Sequence, residues 1–286
     1  MVTIEKLLKD GIEIIRQREF NNPLLDVQLI LSHLLKKDKI YLHVHRKDEV
    51  DDIIAQKFYE MVVKRNEGYP LQYMTNSQEF MGLDFFVQEG VLVPRPDTEI
   101  LVEKIVNIVK TGSLKDQNIN ILDIGTGSGA IAVSIGYYLK NSHVTAMDIS
   151  DVAIETANIN IQRHGLENVK TIKGDIFNFD FKNQKYNIVV SNPPYIKREV
   201  IKDLQTEVSM YEPKLALDGG SDGLDYYRHI VNVFDNIHEE NGMLSVEIGY
   251  DQKDTVMELF NNKNKFKKVE SSKDLGGNYR VVTGFL

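Results

Sequence analysis

Cysteine is absent from the 286-residue chain, which excludes disulfides, Cys-ligated zinc and a thiol nucleophile together. Long apolar runs are missing as well: no stretch approaches the roughly 18 consecutive apolar residues that cross a bilayer. The opening MVTIEKLLKD carries acidic residues and lacks the basic-then-apolar order of a signal peptide. A cytoplasmic location without membrane attachment is therefore expected. Positive charge is also in short supply. With a formal charge of −8 and a pI near 5.5, the chain is poorly suited to grip long nucleic acid, since that affinity comes from Lys and Arg. His43 and His45 stand two apart in YLHVH, but no third ligand cluster accompanies them, so no metal is expected. What remains is ordinary globular composition, 42% hydrophobic and 27% charged, in a chain long enough for one larger domain and a smaller partner.

Hydrophobic periodicity separates the two. Ile4, Leu7, Leu8, Ile12 and Ile15 recur at helical spacing, and a second such run follows Asn22–Pro23, an N-cap with proline at the first helical position. A third helix is expected over Val50 to Glu67, ending at Gly68. These make a helical bundle, domain 1–75. Residues 76–94 read as a hairpin linker, punctuated by Gly82 and Gly90. From 95 to 286 helices alternate with strands, expected at Asn120–Ile124, His143–Asp148, Val169–Gly174, Tyr186–Val190 and Gly242–Ile248. Alternation of this kind implies an α/β fold with a parallel, Rossmann-like sheet. After Phe266 two strands follow without a helix between them, which predicts an antiparallel pair at the end of the sheet.

The first of these strands runs into ILDIGTGSGA, with Gly125, Gly127 and Gly129 before a helix that starts near Ala130. Glycines permit a tight turn and the close approach of a ligand. The loop alone fits dinucleotide binders equally well. Asp148 closes the next strand, where a carboxylate can accept hydrogen bonds from ribose hydroxyls. Asp123, just before the loop, would repel a pyrophosphate and attract a ligand carrying an ammonium and a sulfonium. That tips the reading toward S-adenosylmethionine, with S-adenosylhomocysteine as product. Thr126, Ser128 and Ile149 complete the expected cofactor site, and Asp175 with Ile176, at the end of the third strand, would border the adenine.

SNPPYI, residues 191 to 196, leaves a fourth buried strand through two prolines. They stiffen the turn and remove backbone donors. What it offers outward is acceptors: the Asn192 side-chain oxygen and the Pro193 carbonyl can each take one N–H of a planar NH2 group, freeing the nitrogen lone pair for an in-line methyl acceptance. The Asn192 oxygen lies near the cofactor too, and Pro194 and Tyr195 would flank the flat substrate, with Tyr195 stacking on it.

The chain resembles the HemK/PrmC family, the peptide chain release factor glutamine methyltransferases. GYPLQYM at 68–74, VLVPRPDTE at 91–99, DIGTGSG, SNPPY, EVSMYEPKLALDGGSDGL at 207–224 and DLGGNYR at 274–280 carry the resemblance. It implies a seven-stranded class I methyltransferase domain and an N-terminal helical domain that recognises the substrate. That substrate would be the glutamine of the Gly-Gly-Gln motif in class I release factors, methylated on its side-chain amide. The resemblance puts Asn192 to Tyr195 on the glutamine and makes Pro94, Arg95 and Glu99 part of the active-site wall. Ile176 stands where many relatives have tryptophan. A monomer is expected. The alternatives are an amino methyltransferase acting on adenine or guanine in DNA or RNA, a nucleotide-dependent oxidoreductase, which leaves SNPPY idle, and a non-catalytic cofactor-binding module. Lys197, Arg198 and Lys202 alternate with Glu199 and Asp203, the pattern of a solvated face rather than a basic groove.

Overall fold

The computed structural model describes residues 2–15, 22–115 and 117–286. The chain divides into two compact units, Met1–Ser77 with Gln205–Tyr211, and Gln78–Leu204 with Glu212–Leu286. The segment 205–211 thus groups with the helices although it lies within the sequence of the larger unit.

In the smaller unit β1 (Val2–Thr3) leads into α1 (Ile4–Ile14), followed by α2 (Pro23–Leu35), α3 (Lys39–Val44), β2 (Glu49–Val50), α4 (Asp52–Asn66) and α5 (Leu71–Thr75). Side-chain oxygens of Thr3, Asn22 and Asp38 accept the free backbone N–H groups of the first turns of α1, α2 and α3. The third expected helix starts two residues late because Val50 pairs with Val2 and Asp51 serves as its cap. Leu7, Val27, Ile30, Leu31, Phe58 and Val62 form the core. Gly11 lets α1 approach closely: a Cβ there would lie 2.8 Å from Val27 and 2.9 Å from Phe58. Arg65 is buried, donating to Asp26 Oδ2 at 2.8 Å, to the Tyr69 carbonyl at 3.1 Å and to Glu207 Oε1 at 2.5 Å. Those bonds and an edge-on contact of Tyr69 with Tyr211 hold 205–211 to this unit.

The larger unit opens with the hairpin β3 (Gln78–Phe80) and β4 (Leu83–Phe85), turned by Met81 and Gly82 at positive φ. Then come α6 (Glu99–Thr111), β5 (Ile119–Ile124), α7 (Ala130–Tyr138), β6 (Ser142–Asp148), α8 (Asp151–Arg163), β7 (Val169–Lys173) and β8 (Tyr186–Ser191). After them follow α9 (Asp225–Ile237), β9 (His238–Glu247), α10 (Lys253–Asn261), β10 (Lys268–Lys273) and β11 (Tyr279–Phe285). The seven-stranded sheet has the order β10-β11-β9-β8-β5-β6-β7. All neighbours from β9 to β7 are parallel, and β11 alone is reversed, inserted between β9 and β10.

Strand alternation divides the core between two faces. Ile121, Ile188 and Val190 point to the side covered by α6 and α7. Leu122, Val189 and Leu244 point to the side covered by α9 and α10. The chain leaves β5 toward β6 on one side and reaches β8 on the other, so the carboxyl ends of β5 and β8 flank a topological switch point, where α/β sheets place their ligands. No helix among the described residues is long and apolar enough to cross a membrane.

Candidate active site

A cleft opens at that switch point. Gly125, Gly127 and Gly129 have φ of 73°, 55° and 82°, values that L side chains adopt only under strain. Their reasons differ. A Cβ on Gly125 or Gly127 would meet nothing within 4 Å, whereas one on Gly129 would lie 3.1 Å from the Ala157 Cβ. The first two glycines therefore leave room on the cleft side, and the third lets α7 pack on α8. Gly125 and Thr126 donate their N–H groups to the Met147 carbonyl, which pins the loop to β6.

Asp123 is not on the cleft wall, a correction to the expectation that its charge draws in a cationic ligand. It is 0% exposed, and its Oδ2 accepts the Thr126 hydroxyl at 2.6 Å. Burial pushes its carboxyl up to about 7, against the lowering from Thr126 and the Ala132 N–H. Its work is inside the loop. Thr126 and Ser128 are likewise buried, and neither lines the cleft.

Asp148 does face the cleft. Its Oδ1 accepts the Ser150 N–H and its Oδ2 the Gly127 N–H, both at 2.9 Å. Burial raises its carboxyl and these backbone donors lower it again. A carboxylate has about four lone-pair sites, so acceptors remain for a diol. Ile149, Asp175 and Ile176 line the same cleft. Asp175 closes a turn of its own, accepting the Phe177 N–H and the Asn178 side chain. The Ile176 carbonyl accepts from His229 Nε2 at 2.8 Å. Aromatic surface comes from elsewhere: Tyr226 of α9 lines the cleft and meets Phe177 edge-on.

Asn192, Pro193 and Pro194 form the opposite wall. Ser191 anchors the turn through its hydroxyl to the Ile124 carbonyl at 2.7 Å. Asn192 Nδ2 donates to the Thr98 hydroxyl oxygen at 3.1 Å. Among the described residues, nothing donates to Asn192 Oδ1 or to the Pro193 carbonyl. Tyr195 turns away from the cleft: its ring packs against the α9 side of the core and its hydroxyl points to Glu247 Oε1 at 3.3 Å. The expected stacking on a substrate is not prepared by this placement.

DGGSDGL explains itself here. Ile196 pairs with Asp218, and a Cβ on Gly219 would fall 2.8 Å from the Tyr195 Cα, one on Gly223 2.5 Å from the Tyr195 carbonyl oxygen. Glycine is the residue that lets this segment lie directly on the NPPY backbone. Gln252 takes the Tyr195 carbonyl at 3.0 Å. Arg95 pairs with Glu212, whose Oε1 accepts the Val93 N–H, so VPRP and YEP are tied together. Glu99 accepts the Met81 N–H at 2.7 Å, bracing the β3–β4 turn. Neither Arg95 nor Glu99 lines the cleft. Gly90, Leu92, Pro213, Leu215 and Ala216 do; the sequence marks Gly90 only as a turn and the other four only as parts of VLVPRPDTE and EVSMYEPKLALDGGSDGL.

Comparison with known proteins agrees with this architecture. Residues 6–75 match the family described as PrmC N-terminal domain, and residues 115–278 match a methyltransferase domain. A release factor glutamine methyltransferase of Clostridium acetobutylicum is 40% identical over 259 residues, 90% of this chain and 89% of its own length. Another from Clostridium botulinum is 36% identical over 281 residues, 98% of both chains. A methyltransferase structure from Pyrococcus furiosus, 19% identical, covers 72% of this chain and 89% of its own with a TM-score of 0.51, a likeness of fold. The chain belongs to the release factor glutamine methyltransferase family.

Proposed function

We propose that this chain transfers the methyl group of S-adenosylmethionine to the side-chain amide nitrogen of the glutamine in the Gly-Gly-Gln motif of class I release factors, working as a monomer in the cytoplasm. The observation that carries the reading is the pair of open acceptors, Asn192 Oδ1 and the Pro193 carbonyl, on a proline-stiffened turn at one wall of the cleft. The opposite wall fits the cofactor. Open space over Gly125 and Gly127 admits a ligand against the backbone, and Asp148 has lone pairs left for ribose hydroxyls.

Bound there, S-adenosylmethionine would supply an electrophilic methyl group on a sulfonium. The chain's own task is the nucleophile. An amide nitrogen has its lone pair delocalised into the carbonyl. Two acceptors that each hold one N–H fix the rotation of the NH2 group and favour positive charge growing on nitrogen. Held over Gly125, Gly127 and Asp148, the donor would give up its methyl group with sulfur keeping the electron pair of the carbon–sulfur bond, and the nitrogen aligned by Asn192 and Pro193 would take the methyl and release one amide proton to solvent. Because the turn is rigid before substrate arrives, little ordering is left for the reaction step.

The test is a transfer assay with methyl-labelled S-adenosylmethionine, offering a class I release factor beside its Gln→Ala variant at the Gly-Gly-Gln motif, with DNA and RNA as competitors. Label on the intact factor alone is expected. Label on nucleic acid overturns the substrate. Asn192→Ala should abolish transfer while cofactor affinity stays within about threefold, or ~0.7 kcal/mol.

A further inference from the structure

Gln252 stands at the N-cap of α10 and makes no side-chain bond to the helix. Glutamine is not among the residues preferred for capping, which are Ser, Thr, Asn and Asp. Its side chain is buried and is used elsewhere. Nε2 donates to the Tyr195 carbonyl at 3.0 Å and to the Gly223 carbonyl at 3.2 Å. Oε1 accepts the Gly249 N–H at 3.0 Å and the Tyr227 hydroxyl at 3.3 Å.

A glutamine amide has two donor hydrogens and two acceptor lone pairs, so all of its capacity is engaged. Its orientation follows from the partners: a flipped amide would set its oxygen against two carbonyls and its NH2 group against an N–H. Glycines make the room for it. A Cβ on Gly223 would lie 2.8 Å from Gln252 Nε2, and one on Gly249 2.9 Å from Gln252 Oε1.

One of the two carbonyls so held lies just past the proposed substrate wall. Pro193, whose carbonyl is one of the open acceptors, connects to Tyr195 through Pro194 alone, and the ring of Pro194 fixes φ in that link. Upstream, the Ser191 hydroxyl donates to the Ile124 carbonyl at 2.7 Å. Asn192, Pro193 and Pro194 therefore hang between two buried anchors. The downstream anchor is itself tied to the sheet, because the buried Tyr227 hydroxyl also donates to the Glu247 backbone carbonyl at 2.9 Å. We propose that Gln252 is a positioning residue for methyl transfer: its amide fixes the downstream end of the Asn192–Pro194 turn, and with it the aim of the Pro193 carbonyl at the substrate NH2 group. This rests on the reading of Asn192 and Pro193 given under the proposed function.

Glutamate offers a matched contrast. Gln252→Glu keeps the shape and both acceptors, but an ionised carboxylate has no hydrogen to donate to the Tyr195 and Gly223 carbonyls, and a protonated one regains a single donor. The test uses the full chain. At about pH 8, above the ordinary range of a Glu carboxyl, Gln252→Glu should lower kcat on the order of tenfold to a hundredfold, the effect of misaligned reacting groups. KM for S-adenosylmethionine and the calorimetric affinity for S-adenosylhomocysteine should stay within about twofold. The kcat of the variant relative to wild type should climb as pH falls and the introduced carboxyl takes up a proton. A purely structural tie would lower the urea midpoint and leave the kcat of the folded protein intact. That result overturns the proposal, and so does a loss confined to cofactor affinity.

Nuclear magnetic resonance reads the turn without a substrate. Pro193–Pro194 is the only Pro-Pro step among the 7 prolines of the chain, so proline isotopically labelled at its carbonyl carbon and its nitrogen gives one directly coupled carbon–nitrogen pair, at the Pro193 carbonyl. This signal should move in Gln252→Glu and return toward its wild-type position as pH falls. A signal that does not move overturns the positioning role. A wild-type chain that leaves the release factor unlabelled overturns the substrate reading instead, and the proline signal still decides whether Gln252 sets the turn.

Discussion

The backbone N–H of Gly127 donates to Asp148 Oδ2 at 2.9 Å. The glycine loop and the acid that closes the neighbouring strand are thus one hydrogen-bonded unit. Asp148→Ala removes a ribose acceptor and frees the loop together. Cofactor affinity should fall by about 1.5–3 kcal/mol, the range for hydrogen bonds to a charged group, read by calorimetry with S-adenosylhomocysteine. Unchanged affinity would show that Asp148 serves the loop alone.

The glycines of that loop separate by role. Gly129→Ala meets Ala157 at 3.1 Å in addition to its positive φ, so it should destabilise the fold by about 1–3 kcal/mol. Gly127→Ala has open space at its Cβ and incurs the backbone strain alone, about 1–2 kcal/mol, while placing a methyl where the ligand approaches. Urea unfolding and cofactor titration on both variants should show the first losing more stability and the second losing more affinity.

Asp123 gives a pH signature. Its folded carboxyl is raised to about 7 from an ordinary 3.8, so the folded state holds a proton that the unfolded chain has released. Stability from this group is complete at low pH and is lost as pH climbs through that window, levelling off once the folded carboxyl ionises. Asp123→Asn carries no such penalty and can still accept the Thr126 hydroxyl. Its stability relative to wild type should grow between about pH 4 and 7, by a few kcal/mol at most, and stay constant above. Denaturation midpoints across pH check it. A gap that does not vary with pH sinks the assignment.

In the helical unit, Arg65 and Asp26 are both buried and paired at 2.8 Å. Arg65→Met leaves Asp26 without its partner and Glu207 without its anchor, and should cost about 3–5 kcal/mol, as breaking a buried pair does. Replacing both Arg65 and Asp26 with apolar residues should recover much of it. Chemical denaturation of the single and double variants measures the difference.

Much of the architecture was legible because it rests on local pattern. The strands of the sheet announced themselves as apolar runs bounded by turns, and SNPPY and the glycine loop sit at their ends where sheet topology puts ligands. What stayed hidden depends on contacts between distant residues. Thr98 and Asn192 are 94 positions apart, and no spacing rule connects them. Asp123 looked like a charge at the loop because a strand residue's facing near its end is not readable from one acid. Tyr195 belongs to a motif whose backbone meets the cleft while its ring goes into the core. The place of β11 between β9 and β10 is a matter of tertiary order, which two consecutive strand signals cannot convey.

The segment Gln205–Tyr211 lies in the middle of one unit's sequence and packs in the other. The helical unit is consequently not a cassette. Genetic exchange that swapped only its N-terminal stretch would import helices without the strip that Arg65 and Tyr69 hold, so donor and recipient must already agree on two separate pieces of sequence. For the same reason, cutting the chain between Ser77 and Gln78 would not cleanly part the units: the larger fragment would keep a piece of the smaller one's packing.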